Sequence, residues 1–251
     1  MKENPRHYYF NNYNKRENFI ERSILAVKEH RFILSSIGYI RQYFSYIRQY
    51  FRYTFIHRTF LFHNEKLKYS KKLYNSIDSE RVVEIPIVKS YLKKFLTSEG
   101  KCLEVGNVLN HYFYFNHDII DKYEVGNGIR NEDIALVKFE KCYDLIISIS
   151  TLEHVGFDEP IKEHGKIRKA IDNLINALCE KGKMIITVPV KYNPEIDELL
   201  QSNPYNFKIT FLKRDKFNIW SETNENWSSL NAYGSKFPYA NAIAVIEFQK
   251  S

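Results

Sequence analysis

Glycine is scarce in this sequence, with nine residues among 251. No G-x-G-x-x-G run opens a helix after an apolar strand. That excludes an ordinary dinucleotide dehydrogenase, whose backbone must approach a pyrophosphate closely. P-loop, nucleophile-elbow, C-x-x-C and H-E-x-x-H patterns are also missing, and Ser148 and Ser150 have no base at a characteristic spacing. Phosphate cradling, serine hydrolysis, dithiol redox chemistry and zinc proteolysis lose their usual signatures. Only three cysteines occur, Cys102, Cys142 and Cys179, far apart and without zinc-ligand spacing. They read as free buried thiols in a reducing compartment. No apolar run is long enough to span a bilayer. The opening MKENPRHYYF has no apolar core of a secretory signal, so a cytoplasmic location is expected, with the membrane periphery as its extension.

What is present is uneven. Hydrophobic residues make up 44% and the formal net charge is +7. Residues 1–75 carry 15 Lys and Arg against 5 Asp and Glu, while the remainder carries 22 against 25. The same first segment holds 10 of the 19 tyrosines. The chain therefore reads as a basic, aromatic helical extension (1–78) joined to a nearly neutral domain (79–251). Within the extension, the hexad YIRQYF at Tyr39–Phe44 recurs unchanged at Tyr46–Phe51. A period of seven keeps one face of a helix. Tyr39, Tyr43, Tyr46, Tyr50 and Tyr53 share a stripe, with Ile40, Phe44, Ile47 and Phe51 beside it and Arg41, Arg48, Arg52, Ser45, Gln42 and Gln49 on the other side. Three readings compete: a cap packed on the domain, a contact with an anionic membrane surface through residues 39–53, and a helix for a partner. A nucleic-acid arm ranks below these, because no known module accompanies it.

Helical spacing runs from Asn18 to about Thr59, breaking near Ser35–Gly38. Residues 60–77 read as a linker or irregular cap. Helical spacing returns from Val82 to Phe95 and stops at residues 98–100. Short apolar runs follow at KCLEVG, HDIID, YDLIISIS and KMIITVPV. Their continuous apolarity suits parallel strands buried on both faces. IRKAIDNLINALCEKGK, closed by Gly182, and PEIDELLQS read as helices between and after them. FKITFLKR and AIAVIEFQ read as two last strands with no helix between, an antiparallel pair at one edge. Strands alternating with helices predict an α/β, doubly wound, mostly parallel sheet.

Four of these segments in this order resemble the class I S-adenosylmethionine-dependent methyltransferases: LEVG (Leu103–Gly106), HDIID, YDLIISISTLEHVG (Tyr143–Gly156) and GKMIITVP (Gly182–Pro189). ERVVEIP, LEVGNVLNHY and ISTLEHVGFDE together resemble a subfamily associated with surface-polysaccharide genes. The resemblance covers about two thirds of the chain and implies a Rossmann-like methyltransferase sheet with S-adenosylmethionine as cofactor. It departs from the family at the first loop, where Val108 and Asn110 stand for the second and third glycines.

The resemblance implies that Glu104 lies near the cofactor's methionine end. Gly106 and the following Asn107 allow the cofactor's close approach. Asp121 ends the second strand, and a carboxylate there can accept both hydroxyls of a ribose; Asp118, three residues earlier, is the competing register. Asp133 is assigned to an adenine amino group, with Ile134 packing on the ring. Thr151 and Leu152 follow the fourth strand at the cofactor's edge. His154 can take a proton from a hydroxyl nucleophile, and Glu153 can orient it or bind a substrate hydroxyl. The acids and histidines from Glu153 to His164 include oxygen donors suited to magnesium, but acids at helix starts are ordinary, so no metal is assigned. Methyl transfer to a hydroxyl of a small molecule, sugar or glycan is the leading expectation. A nucleic-acid methyltransferase using the basic arm is one rival, although N/D-P-P-Y/F is absent. A non-catalytic methyltransferase-like module is the other.

Overall fold

The computed structural model describes residues 44, 47–71, 79–96, 100–237 and 239–251. The first hexad's Tyr39–Tyr43 and the second's Tyr46 lie outside the described residues. A helical segment over residues 47–51 ends in a π-helical turn, Arg52–Ile56. Strands β1 (Thr59–Phe62) and β2 (Glu65–Lys68) form an antiparallel hairpin around His63 and Asn64, both with positive φ. Where a linker or irregular cap is expected at 60–77, residues 59–68 form this hairpin. Alternation decides it: Phe60, Phe62, Leu67 and Tyr69 turn inward while Leu61, Lys66 and Lys68 face out.

Helix α1 (Arg81–Phe95) precedes the main sheet. Its strands are β3 (Cys102–Val105), β4 (Asp118–Ile120), β5 (Ile129–Arg130), β6 (Tyr143–Ile149), β7 (Leu178–Pro189), β8 (Lys208–Arg214), β9 (Trp220–Thr223) and β10 (Ala242–Gln249). Their spatial order is β5-β4-β3-β6-β7-β10-β8-β9. The first five run parallel, and β10 enters antiparallel between β7 and β8. This is the doubly wound, mostly parallel, Rossmann-like sheet that the alternating pattern anticipates. The terminal antiparallel pair is present; β9, which periodicity does not reveal, adds the outermost strand beyond β8.

The sheet separates two cores. Leu145, Ile147, Ile149, Ile243 and Val245 face α1, the hairpin and Tyr53. Ile146, Met184, Ile186, Ala244 and Ile246 face α2 (Lys166–Ala177) and α3 (Pro194–Ser202). Helix α2 buries Ile167, Ala170, Ile171, Leu174 and Ala177, one face at helical spacing. The hairpin and Tyr53 thus share a core with the domain. Tyr53 stacks on Tyr69 with ring centres 4.2 Å apart, and its hydroxyl donates to the Asn218 carbonyl at 2.6 Å.

Two expectations need correcting here. The helix expected to reach Gly182 stops at Ala177, and Leu178 already pairs with Tyr143 in β7. Gly182 is not a helix cap. A Cβ there would sit 2.8 Å from the carbonyl oxygens of both Cys179 and Tyr143, so glycine permits two backbones to meet. Nor are all three cysteines free. Cys142 and Cys179, at that same crowded corner, form a disulfide, and only Cys102 is a buried thiol. Sequence separation hid the pair because β6 and β7 are neighbours only in the folded sheet. The reasoning from free thiols to a reducing compartment falls with it. Among the described residues, no helix is long and apolar enough to cross a membrane.

Candidate active site at the carboxyl edge of the sheet

Parallel strands of an open α/β sheet bring their following loops together at the carboxyl edge, where such sheets bind ligands. The loops after β3, β4, β5 and β6 carry every residue assigned to the cofactor or acceptor above except Glu104, which lies within β3.

Glu104 is fully buried in β3. One carboxylate oxygen accepts the N–H groups of Val108 (3.0 Å) and Leu109 (2.7 Å), and the other meets His117 Nε2 at 2.7 Å. It holds the glycine-poor loop closed as a single 3-10 turn, Leu109–His111. Any influence on a ligand passes through that loop. Gly106 has φ of 87°, which L side chains avoid. A Cβ there would lie 2.2 Å from Thr151 Oγ1, so the close approach is made by the Thr151 side chain. Gly106 and Thr151 interlock the loops after β3 and β6.

Asp121 follows β4 at the carboxyl edge. Asp118 begins the same strand, at the opposite end, bound to the Tyr143 hydroxyl (2.8 Å) and Lys141 (2.7 Å). Of the two acids, only Asp121 lies at the carboxyl edge. Asp121 Oδ1 accepts the N–H groups of Tyr123 and Glu124, and Oδ2 accepts that of Asn107 at 3.0 Å. Asn107 also donates its amide to Glu124 Oε1 at 2.5 Å. A carboxylate has about four acceptor directions, so Asp121 retains one. Glu124, held next to it, supplies others. The sequence reading missed Glu124, because nothing in a strand-loop pattern says how the chain turns after Asp121. The pair suits a vicinal diol such as a ribose.

Asp133 sits elsewhere than expected. Its carboxylate binds the ammonium groups of Lys122 (2.8 Å) and Lys166 (2.5 Å), and both lysines also bind Glu159. Burial opposes the charge on Asp133 and Glu159, but the two lysines outweigh it and hold both carboxyls below their usual range. The remaining oxygen of Asp133 accepts Ala135 N–H. An acid committed to two ammonium groups and a backbone N–H is mainly structural here, and Ile134 is buried in the core beside Ile120 and Leu152. The cause is Lys166, buried at the start of α2, which the linear sequence cannot bring to Asp133.

The loop after β6 forms a 3-10 turn, Leu152–His154, and Leu152 fills the core beneath it. His154 is 40% exposed at its side chain. Its Nδ1 lies 2.5 Å from Asp158, and the Tyr192 hydroxyl donates to the same carboxylate at 2.5 Å. Partial burial lowers the imidazole's proton affinity, but Glu153 and Asp158 together raise its pKa above the ordinary value. Tyr192 meets this imidazole edge-on with ring centres 5.3 Å apart, and Phe157 (5.9 Å) and Tyr233 (4.8 Å) pack in turn on Tyr192. Asn193 ties the turn down, donating its amide to the Glu153 carbonyl at 2.7 Å while its side-chain oxygen caps α3. Asp158, Tyr192 and Tyr233 complete the site from separate segments.

Glu153 is buried, with one carboxylate oxygen lacking a hydrogen-bond partner. Burial drives its pKa up to about 7, against the pull of His154. A raised folded-state pKa means the folded protein holds a proton that the unfolded chain releases above its ordinary value of about 4.3. This contribution to stability is therefore present at low pH and lost as pH rises toward 7. Glu153→Gln should remove that loss, stabilising the protein at pH 8 by up to about 3 kcal/mol at roughly 1.4 kcal/mol per pH unit. Denaturation of both proteins at pH 5 and pH 8 checks this; an equal difference at both pH values would refute it.

Below the turn, Ser150 has φ of 38° and donates its hydroxyl to Glu84 of α1 at 2.6 Å. Glu84 is buried and paired with Arg81 at 2.5 Å. The acids and histidines at 153–164 disperse among different partners: Glu163 pairs with Lys169, and His164 is exposed, 3.9 Å from Glu195. No metal-binding group forms among the described residues.

No family model and no curated protein matches the sequence. Solved structures similar in fold include the N-methyltransferase NodS from Bradyrhizobium japonicum WM9 with S-adenosyl-L-homocysteine (11% identity, TM-score 0.40, 65% of this chain and 83% of that one). An S-adenosylmethionine-dependent methyltransferase from Clostridium acetobutylicum ATCC 824 gives 12% identity and TM-score 0.37 over 66% of this chain and 89% of that one. The glycopeptide N-methyltransferase MtfA gives 6% identity and TM-score 0.39 over 66% and 89%. Likenesses this distant assign no residue a role.

Proposed function

We propose that this protein transfers a methyl group from S-adenosylmethionine to a hydroxyl, with a sugar or glycan as acceptor. The reading rests on the sheet order, with the last strand antiparallel between β7 and β8, and on Asp121 and His154 both following strands at its carboxyl edge. The cofactor supplies an electrophilic methyl group when bound. Asp121 and Glu124 would hold its ribose hydroxyls, with the Gly106–Asn107 backbone beside them. A hydroxyl acceptor needs a base near neutral pH, and this edge has one. Asp158 engages His154 Nδ1, which leaves Nε2 as the lone-pair nitrogen. His154 Nε2 would take the acceptor hydroxyl's proton, and Asp158 would stabilise the imidazolium that results. Phe157, Tyr192 and Tyr233 offer aromatic faces to the apolar side of a sugar ring.

Thermal melting tests the cofactor. S-adenosylmethionine or S-adenosylhomocysteine should raise the melting temperature, and NAD should not. Asp121→Ala should weaken binding by roughly 1.5–3 kcal/mol. Asp118→Ala, at the far end of β4, should leave affinity unchanged. No shift at millimolar cofactor would refute the enzymatic reading; sensitivity at Asp118 instead would move the site to the other edge.

A further inference from the structure

The segment before the hairpin is amphipathic in the wrong sense for a helix that only packs on its own domain. Gln49 and Tyr53 are buried. Ile47, Phe51 and Phe55, one i, i+4, i+8 row, point the other way and are 43%, 55% and 65% exposed. The Phe51 and Phe55 rings lie 4.7 Å apart, and Ile56 beyond them is 61% exposed. A second element adds to this surface. The turn between β8 and β9 places Phe217, 51% exposed, beside the helix, where its carbonyl accepts from Arg52. Lys216 Nζ lies 5.1 Å from the Phe217 ring centre. Arg48, Arg58 and Lys216 are exposed around these apolar groups. The acid of the turn, Asp215, is occupied by the N–H groups of Phe217 and Ile219.

We propose that residues 47–58 and the turn at 215–218 dock the protein on an anionic phospholipid surface. Aromatic and branched apolar side chains on one row, bordered by exposed cations, match the boundary between headgroups and acyl chains. A second copy would set the same cations against each other. A nucleic acid would neutralise the cations but leave the apolar row in water.

Flotation of the full chain tests this with phosphatidylcholine vesicles, with and without phosphatidylglycerol. The protein should float with the anionic vesicles only and detach at high salt. The triple variant Arg48→Gln, Arg58→Gln, Lys216→Gln should bind about 100-fold more weakly, from roughly 1 kcal/mol per cation. Phe51→Ser with Phe55→Ser should lose binding while its melting temperature is kept, since both rings face solvent. Failure to float, equal binding to neutral vesicles, or unchanged binding by both variants would overturn the proposal. So would self-association without vesicles that the Phe51 and Phe55 changes abolish, which would give the face to a second copy. The result is independent of cofactor binding.

Discussion

Replacing His154 by alanine should lower turnover by roughly 10²–10⁴-fold, the usual contribution of a positioned general base. Cofactor affinity, read from the thermal shift, should barely change, because the proposed base acts on the acceptor and not on the cofactor. The wild-type rate should rise with pH as the imidazole loses its proton. Its midpoint should lie above the ordinary value of about 6.5, since Glu153 and Asp158 favour the charged ring. Asp158→Asn should move that midpoint down and lower the rate, as the ring loses both its charge partner and its fixed tautomer. A rate unchanged in His154→Ala with a competent acceptor would make the imidazole structural. An unmoved midpoint in Asp158→Asn would remove the dyad.

Arg81→Leu should destabilise the fold by about 3–5 kcal/mol, the cost of stranding one member of a buried ion pair. The stranded group is Glu84, whose side chain has no exposed surface. Burial already raises its pKa, and Arg81 is the main force pulling it down. Without Arg81 the carboxyl stays protonated to higher pH. The destabilisation should therefore shrink as pH falls and grow as it rises, which denaturant unfolding at two pH values measures. Arg81→Leu with Glu84→Leu should recover much of the loss, because two apolar groups replace a pair whose desolvation was costly. Methyl transfer should not recover in parallel. Glu84 receives the Ser150 hydroxyl, and Ser150 carries the positive φ that turns the chain into the His154 loop. Full recovery of both stability and turnover would mean the pair has no part in positioning that loop.

Much of this was legible before folding. Continuous apolar runs such as YDLIISIS identify strands buried on both faces, because only a sheet covered on each side needs apolar residues in succession. The i, i+3, i+4 spacing of Ile167, Ala170, Ile171 and Leu174 identifies α2 for an equally local reason. The positions of Asp121 and His154 at the carboxyl edge were legible too, since the carboxyl end of a parallel strand is where the chain enters its loop, whatever the loop does next.

The partners of those residues came only from tertiary structure. Tyr192 reaches the His154–Asp158 pair from another loop, and Lys122 and Lys166 take Asp133 away from the role assigned to it. Thr151 fills the space over Gly106, and Cys142 finds Cys179 across neighbouring strands. Periodicity records which face of an element is apolar, a property of one segment that burial energy imposes locally. A hydrogen bond or ion pair depends on distances of about 3 Å between segments remote in sequence. Those distances follow from strand order and register, and no pattern along the chain encodes them. Ile47 and Phe51 show the same division from the other side: their shared row was plain in the repeat, but only the burial of Gln49 and Tyr53 decided that it faces outward and runs on to Phe55.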